Sequence, residues 1–221
     1  EDILLRIREE KEGYGFSHKG KEEAVVIDYS APNIAKPFGV GHLRSTVIGN
    51  SLYRIYKALG YKVVGINHLG DWGTQFGKLI SAYKKWGSEE ELKEEPIKHL
   101  FQLYVRFHNE AEENPELEEE GRRWFKRLEE GDEGALALWR KFKDLSLTEF
   151  KRVYNLLGIE FDSYQGESFY NDMLSETIEY VKSKGITKES QGALIVEMEG
   201  DMPPLLLRKK DGATLYATRD I

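Results

Sequence analysis

The feature that most constrains this chain lies between residues 24 and 66. There an apolar run, a glycine-spotted loop, a helical repeat and a second apolar run follow one another. Ala24-Val25-Val26-Ile27 reads as a short buried strand. Ile48, Leu52, Ile55 and Leu59 recur at helical spacing, and Gly60 stands where a helix commonly ends in a left-handed glycine. Val63 to Ile66 reads as a second strand. Two strands joined through a helix this way form a parallel pair with a right-handed crossover.

The remainder is organised differently. Residues 1–23 are charged, carry Gly13, Gly15 and Gly20, and read as a linker or the tail of a preceding domain. Helical patterns fill most of residues 74–185. One starts at Pro96, and a long one through Trp139, Phe142, Leu145, Phe150, Val153 and Leu157 is stopped by Gly158. The period then changes: Ala193 to Met198, Leu205 to Arg208 and Thr214 to Ala217 read as strands separated by Gly200-Asp201 and Asp211-Gly212 turns. The expected fold class is therefore α/β, a parallel-sheet domain with a large, mainly helical insertion inside or beside it.

Composition excludes several functions. The 221 residues contain no cysteine, so disulfide scaffolds, thiolate metal sites and cysteine nucleophiles are ruled out. No apolar run approaches the roughly 18 residues of a membrane span, and no membrane partner is expected. A net charge of −7 argues against a nucleic-acid coat while leaving room for a local basic site. The first residue is Glu, no leader is visible, and the last patterned segment runs straight to Ile221. The expectation is a piece of a longer, cytoplasmic protein.

Chemistry is expected in the loop after the first strand, because open α/β sheets bind ligands beyond the carboxyl ends of their strands. Ser30 to Ser45 brings Lys36, Gly39, Gly41, His42 and Arg44 to a helix start, where free amides and the helix dipole favour an anion. The pattern is neither G-x-G-x-x-G nor a P-loop. Residues 24–81 hold six Lys and Arg against Asp28 and Asp71, a local +4. Arg54, Lys57 and Lys62 read as solvation of a helix face and a strand end, whereas Lys36 and His42 read as ligand groups.

Other motifs have two readings. Gly70-Asp71-Trp72-Gly73, with His68 just before it, is a tight strand-to-helix turn or a ligand contact. Tyr216 and Asp220 share a face if helical and flank a pocket mouth if Tyr216 ends a strand. His99 and His108 lie nine apart rather than four, and no metal site is expected. Trp124, Trp139 and Phe142 read as core, and the glutamate-rich stretch from Glu110 to Glu120 as a solvated face.

Three of these segments together resemble a known family. Asn33-Ile34-Ala35-Lys36-Pro37-Phe38, followed by Gly41-His42-Leu43-Arg44-Ser45, resembles the signature loop of class I aminoacyl-tRNA synthetases, and its entry resembles the arginyl-tRNA synthetase family. Gly70-Asp71-Trp72-Gly73-Thr74-Gln75-Phe76-Gly77 and Leu215-Tyr216-Ala217-Thr218-Arg219-Asp220 look like two further elements, with Gly166-Glu167-Ser168 between them. The resemblance runs from about residue 24 to the end. It implies the first part of a Rossmann-like catalytic domain at 24–95, a helical connective insertion at 96–190 and return strands of the catalytic domain at 191–221.

The implied reaction joins arginine and ATP, with Mg²⁺, into arginyl-adenylate and pyrophosphate, then moves the arginyl group to tRNA(Arg). By motif position, Lys36, Gly39, Gly41 and His42 are the expected ATP site, with Lys36 and His42 catalytic. Asp28, Asn33, Tyr216 and Asp220 are expected to hold the amino acid, supported by His68, Asp71 and Gln75. Asp28 stands where many members have Glu, and Ala31 where a serine is common. The family's His-x-Gly-His reads Gly39-Val40-Gly41-His42 here, so the first histidine is absent. These residues alone are expected to be inactive, and the parent protein monomeric. The rival readings are a catalytically dead arginine- or nucleotide-binding paralogue, and a small nucleotidyltransferase.

Overall fold

The computed structural model describes residues 2–200, 202–210, 212 and 214–221, with the backbone alone for Tyr216. The chain forms two compact units, Glu1–Gln165 and Gly166–Ile221.

In the first unit, α1 (Asp2–Glu10) and a 3-10 turn (Lys11–Gly13) precede β1 (Ala24–Asp28). Then come α2 (Val40–Ala58), β2 (Lys62–Ile66), α3 (Thr74–Trp86), α4 (Glu89–Glu94), α5 (Pro96–Glu113), α6 (Pro115–Glu129) and α7 (Glu133–Leu157). β1 and β2 pair in parallel from Ala24↔Lys62 to Asp28↔Ile66, with α2 as the crossover. A further parallel bridge joins Ile66 to Ser163, so the chain leaving α7 runs beside β2. Among the described residues, β1 has a strand partner on one edge only. Val26 on β1 is 63% exposed, and Val40, Leu43, Val47, Ile48, Leu52 and Ile55 leave an apolar stripe of α2 in solvent.

The unit's core lies among the helices. Phe76 and Ile80 of α3, Leu100 and Phe107 of α5, Leu128 of α6, and Phe142, Phe150 and Tyr154 of α7 are fully buried in one cluster. Burying each such apolar side chain contributes about 1.5–3 kcal/mol. α3 and α6 approach closely at Gly77, where an added Cβ would sit 2.1 Å from the Gly121 carbonyl oxygen. α7 starts on Asp132, whose carboxylate accepts from the Ala135 amide, and stops at Gly158 in the left-handed region (φ 64°), as the sequence predicts.

Part of the glutamate-rich stretch does more than solvate a face. Glu118 pairs with Lys78 at 2.7 Å, and Glu120 with Lys85 at 2.9 Å and Ser81, clamping α6 onto α3. The two α5 histidines have separate surroundings, His99 buried and His108 half-buried. His99 pairs with Glu91, while burial, followed by the Lys78 ammonium, pushes His108 below its ordinary value.

The second unit contains a 3-10 segment (Glu167–Met173), α8 (Leu174–Ser183), β3 (Thr187–Ser190), β4 (Ala193–Val196), β5 (Leu205–Arg208) and α9 (Tyr216–Asp220). Ile178, Val181, Leu194 and Leu207 form its core. The sequence reading places 191–221 as strands returning to the catalytic sheet. Within the second unit β3, β4 and β5 pair with one another in antiparallel order. The physical reason is the link between β3 and β4. Gln191 and Gly192 both have positive φ (51° and 82°), and a two-residue turn of that kind can join only antiparallel strands.

One smaller expectation also changes. Thr214 makes a single antiparallel bridge to Arg208, after which residues 216–220 are helical rather than extended. Residues 2–10, in the stretch read as a linker or the tail of a preceding domain, form an exposed helix. Among the described residues no helix is long and apolar enough to cross a membrane.

Candidate active site

The loop from β1 to α2 is held in a conformation that its sequence does not favour by itself. Ser30, Ala31 and Ala35 have φ of 75°, 46° and 62°. Left-handed backbone at non-glycine residues costs about 1–3 kcal/mol each, and it persists only where the surroundings dictate it. Here α7 is the template. Ser146, Phe150 and Tyr154 are spaced by four and share a face of that helix. The Ala35 amide donates to Ser146 Oγ at 3.0 Å, the Phe38 ring packs on Phe150 and Tyr154, and Ser30 Oγ lies 2.8 Å from the Tyr154 hydroxyl. From the sheet side, Asn67 Oδ1 accepts from the Ala31 amide at 3.1 Å.

α2 opens directly from this loop. Gly39 is its N-cap, and the first turn carries no acidic residue to occupy the positive end of the helix dipole. His42 is the third helical residue. Its Nδ1 accepts from the Gly39 amide at 3.1 Å, one arm of a capping box. Gly39 has no side chain to return the other arm. An imidazole accepting at Nδ1 carries its proton on Nε2 and therefore presents a donor there. An added Cβ on Gly41 would meet nothing within 4 Å, so glycine at 41 answers no packing need. At Gly39 the nearest atom would be His42 Nδ1 at 4.0 Å, so a side chain fits there too.

Asp28 and Asn33 flank the loop and are both exposed. Asp28 Oδ1 accepts from the His68 amide at 3.2 Å, and the His68 ring meets the Gln165 carbonyl at 3.1 Å. Asn33 pairs with Gly70 in a parallel bridge, reinforced by Ile34 N–H to Gly70 O and Gly70 N–H to Pro32 O. The approach is so close that a Cβ on Gly70 would stand 2.1 Å from Asn33 Oδ1.

The remaining expected residues fall into three groups. Asp71 is fully buried, ion-paired to Lys143 of α7 at 2.5 Å, while its carbonyl accepts from Trp139 Nε1 at 2.7 Å. Gln75 donates to the Trp72 carbonyl at 2.8 Å, bracing the same turn. The turn reading of Gly70–Gly73 thus accounts for Asp71 and Gln75. Lys36 extends toward the helices, its ammonium 5.1 Å above the Tyr104 ring of α5. Tyr216 and Asp220 belong to the second unit. Asp220 is exposed at the end of α9, and the Tyr216 side chain lies outside the described residues. Ser30, Thr46, Asn67, Lys143, Ser146 and Tyr154 escape the sequence reading. The one local clue is Thr46, which sits four residues after His42 and donates to its carbonyl at 2.6 Å.

A glycine-bearing helix start beyond a parallel strand, with a histidine donor and no first-turn acid, has the chemistry that suits an anionic group such as a phosphate. The family model described as class I tRNA synthetases (R), catalytic domain, matches residues 5–221, and the chain belongs to that family. An arginine–tRNA ligase of Exiguobacterium sibiricum is 60% identical over 100% of this chain and 39% of its own length. The relative from Clostridioides difficile is 57% identical over the same shares. Among solved structures, arginyl-tRNA synthetase from Plasmodium falciparum superposes with a TM-score of 0.74 at 34% identity, covering 92% of this chain and 34% of that one. The Thermus thermophilus enzyme shares the fold, with a TM-score of 0.69 at 22% identity. The chain thus spans about two fifths of the length of the curated relatives it matches.

Proposed function

We propose that the protein carrying this chain is an arginine–tRNA ligase, and that residues 24–66 hold its ATP-binding helix start. The observation that carries the reading is His42, which caps α2 through Nδ1 and so aims an Nε2–H donor from a helix start free of acidic residues. The 60% identity to a named arginine–tRNA ligase across the whole chain supports it.

The chemistry follows from the geometry. When the arginine carboxylate attacks the α-phosphorus of ATP, negative charge builds on the phosphate oxygens, and the step needs alignment and neutralisation more than a side-chain nucleophile. The first-turn amides of α2 and His42 Nε2–H meet that charge without reorganising. Gly41 lets the nucleotide approach the backbone closely. Lys36 adds a cation on the helical side. Asp28, with one carboxylate oxygen spent on His68 N–H, has the other for the substrate's guanidinium or ammonium, and Asn33 offers its amide. By motif position Tyr216 and Asp220, in the second unit, are read as amino-acid-binding residues. Among the described residues no cluster of three or more His, Asp or Glu could hold a metal ion. Mg²⁺ would arrive with the triphosphate and offset part of its charge. Transfer to tRNA(Arg) completes the reaction.

The deciding assay is exchange of labelled pyrophosphate into ATP by the full-length protein, with tRNA present. Exchange that depends on arginine is the expected result. Exchange dependent instead on a phosphorylated acceptor would make the protein a nucleotidyltransferase, and arginine binding without exchange would make it a binding paralogue, for which Gly39 is the argument.

Gly70 supplies a narrower check. Gly70→Ala must displace the Asn33 amide, the nearest atom to the new methyl group. The KM for arginine is expected to rise about 10-fold, the worth of roughly one hydrogen bond, with the KM for ATP little changed. An unchanged arginine KM would remove Asn33 from the amino-acid site.

A further inference from the structure

Behind the candidate site runs a buried, connected chain of side-chain hydrogen bonds. Asn67 and Thr46 are fully buried, and Tyr154 and Ser30 are 1% and 4% exposed. Ala31 N–H donates to Asn67 Oδ1, so Asn67 turns its Nδ2 donor to the Tyr154 oxygen at 3.0 Å. Burial raises the Tyr154 phenol above its ordinary value, and it keeps its proton. That proton can go only to Ser30 Oγ at 2.8 Å, because Asn67 Nδ2 cannot accept. The Thr46 hydroxyl proton is shared between the same Ser30 Oγ, 2.7 Å away, and the His42 carbonyl, 2.6 Å away.

The two ends of this chain lie on the two halves of the site. One end fixes Ala31, two residues before Asn33; the other fixes the first turn of α2 at His42. Tyr154 comes from α7, far away in sequence, and sits at the midpoint. We propose that Tyr154 is a positioning residue for amino-acid activation: its hydroxyl sets the amino-acid side of the signature loop in register with the nucleotide side. This rests on the ligase reading of the site. Phenylalanine at 154 would keep the ring contacts with Phe38 and Phe161 while cutting the chain into two unconnected parts.

The test uses the full-length protein carrying Tyr154→Phe, Thr46→Val, or both. In arginine-dependent pyrophosphate exchange with tRNA present, Tyr154→Phe is expected to lower kcat between about 10- and 100-fold, the range in which small misplacements of reacting groups fall. The KM values for ATP and arginine should stay within about threefold, since neither ligand touches the phenol. Thr46→Val cuts the same chain one link on and should cost a similar factor. The double variant should be little worse than either single one, because both break one connected unit. A purely structural role would lower the thermal midpoint and leave kcat per folded molecule unchanged, and that result overturns the proposal, as do multiplicative losses in the double variant.

Amide hydrogen exchange gives a second reading independent of activity. In Tyr154→Phe, residues 30–42 should exchange faster while the α3 and α5 core does not; unchanged loop rates overturn the proposal. Absence of arginine-dependent exchange in the unmodified protein would instead sink the ligase reading, and the hydrogen-exchange comparison would still judge the linkage.

Discussion

His42→Ala in the full-length protein is expected to lower the rate of arginine activation by about 10²–10³-fold, the cost of removing one preorganised donor to developing charge. The histidine has two jobs, and a second variant separates them. Nδ1 caps the Gly39 amide, and in the proposed function Nε2–H meets the ATP phosphates. Alanine loses both and should also reduce stability by about 0.5–2 kcal/mol through the lost cap. Gln at the third helical position can keep a capping acceptor while offering an amide N–H. His42→Gln should therefore melt like the unmodified protein and recover part of the lost rate. Pyrophosphate exchange and thermal unfolding, measured side by side, check both halves. If the alanine variant keeps its rate within about threefold, His42 does not meet the phosphates.

The second large effect concerns stability. Lys143→Met leaves the fully buried Asp71 carboxylate without its ammonium partner, 2.5 Å away in the native structure. Removing one member of a buried pair costs about 3–5 kcal/mol, because the stranded charge remains desolvated. All four tryptophans, at 72, 86, 124 and 139, lie in the first unit, so denaturant unfolding of this chain followed by their fluorescence reports that unit alone. The midpoint should fall at constant slope. Asp71→Asn combined with Lys143→Met should regain part of the loss, since no charge is then left buried. A single Lys143→Met variant within about 1 kcal/mol of the parent would mean that Asp71 draws its support from elsewhere.

What could be read from the sequence depended on the range of the interaction. The β1–α2–β2 unit was legible because its signals are local: two short apolar runs, a helical period and Gly60. The stop of α7 at Gly158 and the start of α5 at Pro96 belong to the same class. The β3–β4 hairpin of the second unit turns at Gln191-Gly192, a pair the sequence reading passed over in favour of the Gly200-Asp201 and Asp211-Gly212 turns. Within the site, the glycines, His42 and Asn33 stand out as a linear motif. Their enforcement does not. Ser30 and Tyr154 are 124 positions apart, and Asn67 and Tyr154 are 87 apart. No periodicity encodes that a tyrosine on a long amphipathic helix will meet a serine held in the left-handed region. Asp71 illustrates the same limit, since its neighbours fit both a turn and a ligand contact and only its ion pair with α7 distinguishes them.

The one-sided pairing of β1 bears on how these residues behave when handled by themselves. An edge of β1 carrying Val25-Val26-Ile27, open among the described residues and next to an exposed aliphatic stripe on α2, is a template on which another extended chain can add. Kept as an isolated 221-residue polypeptide, the molecule is therefore prone to concentration-driven clumping that its −7 charge only partly opposes. Dilution, or a lysine in place of Val26, is the remedy the geometry prescribes.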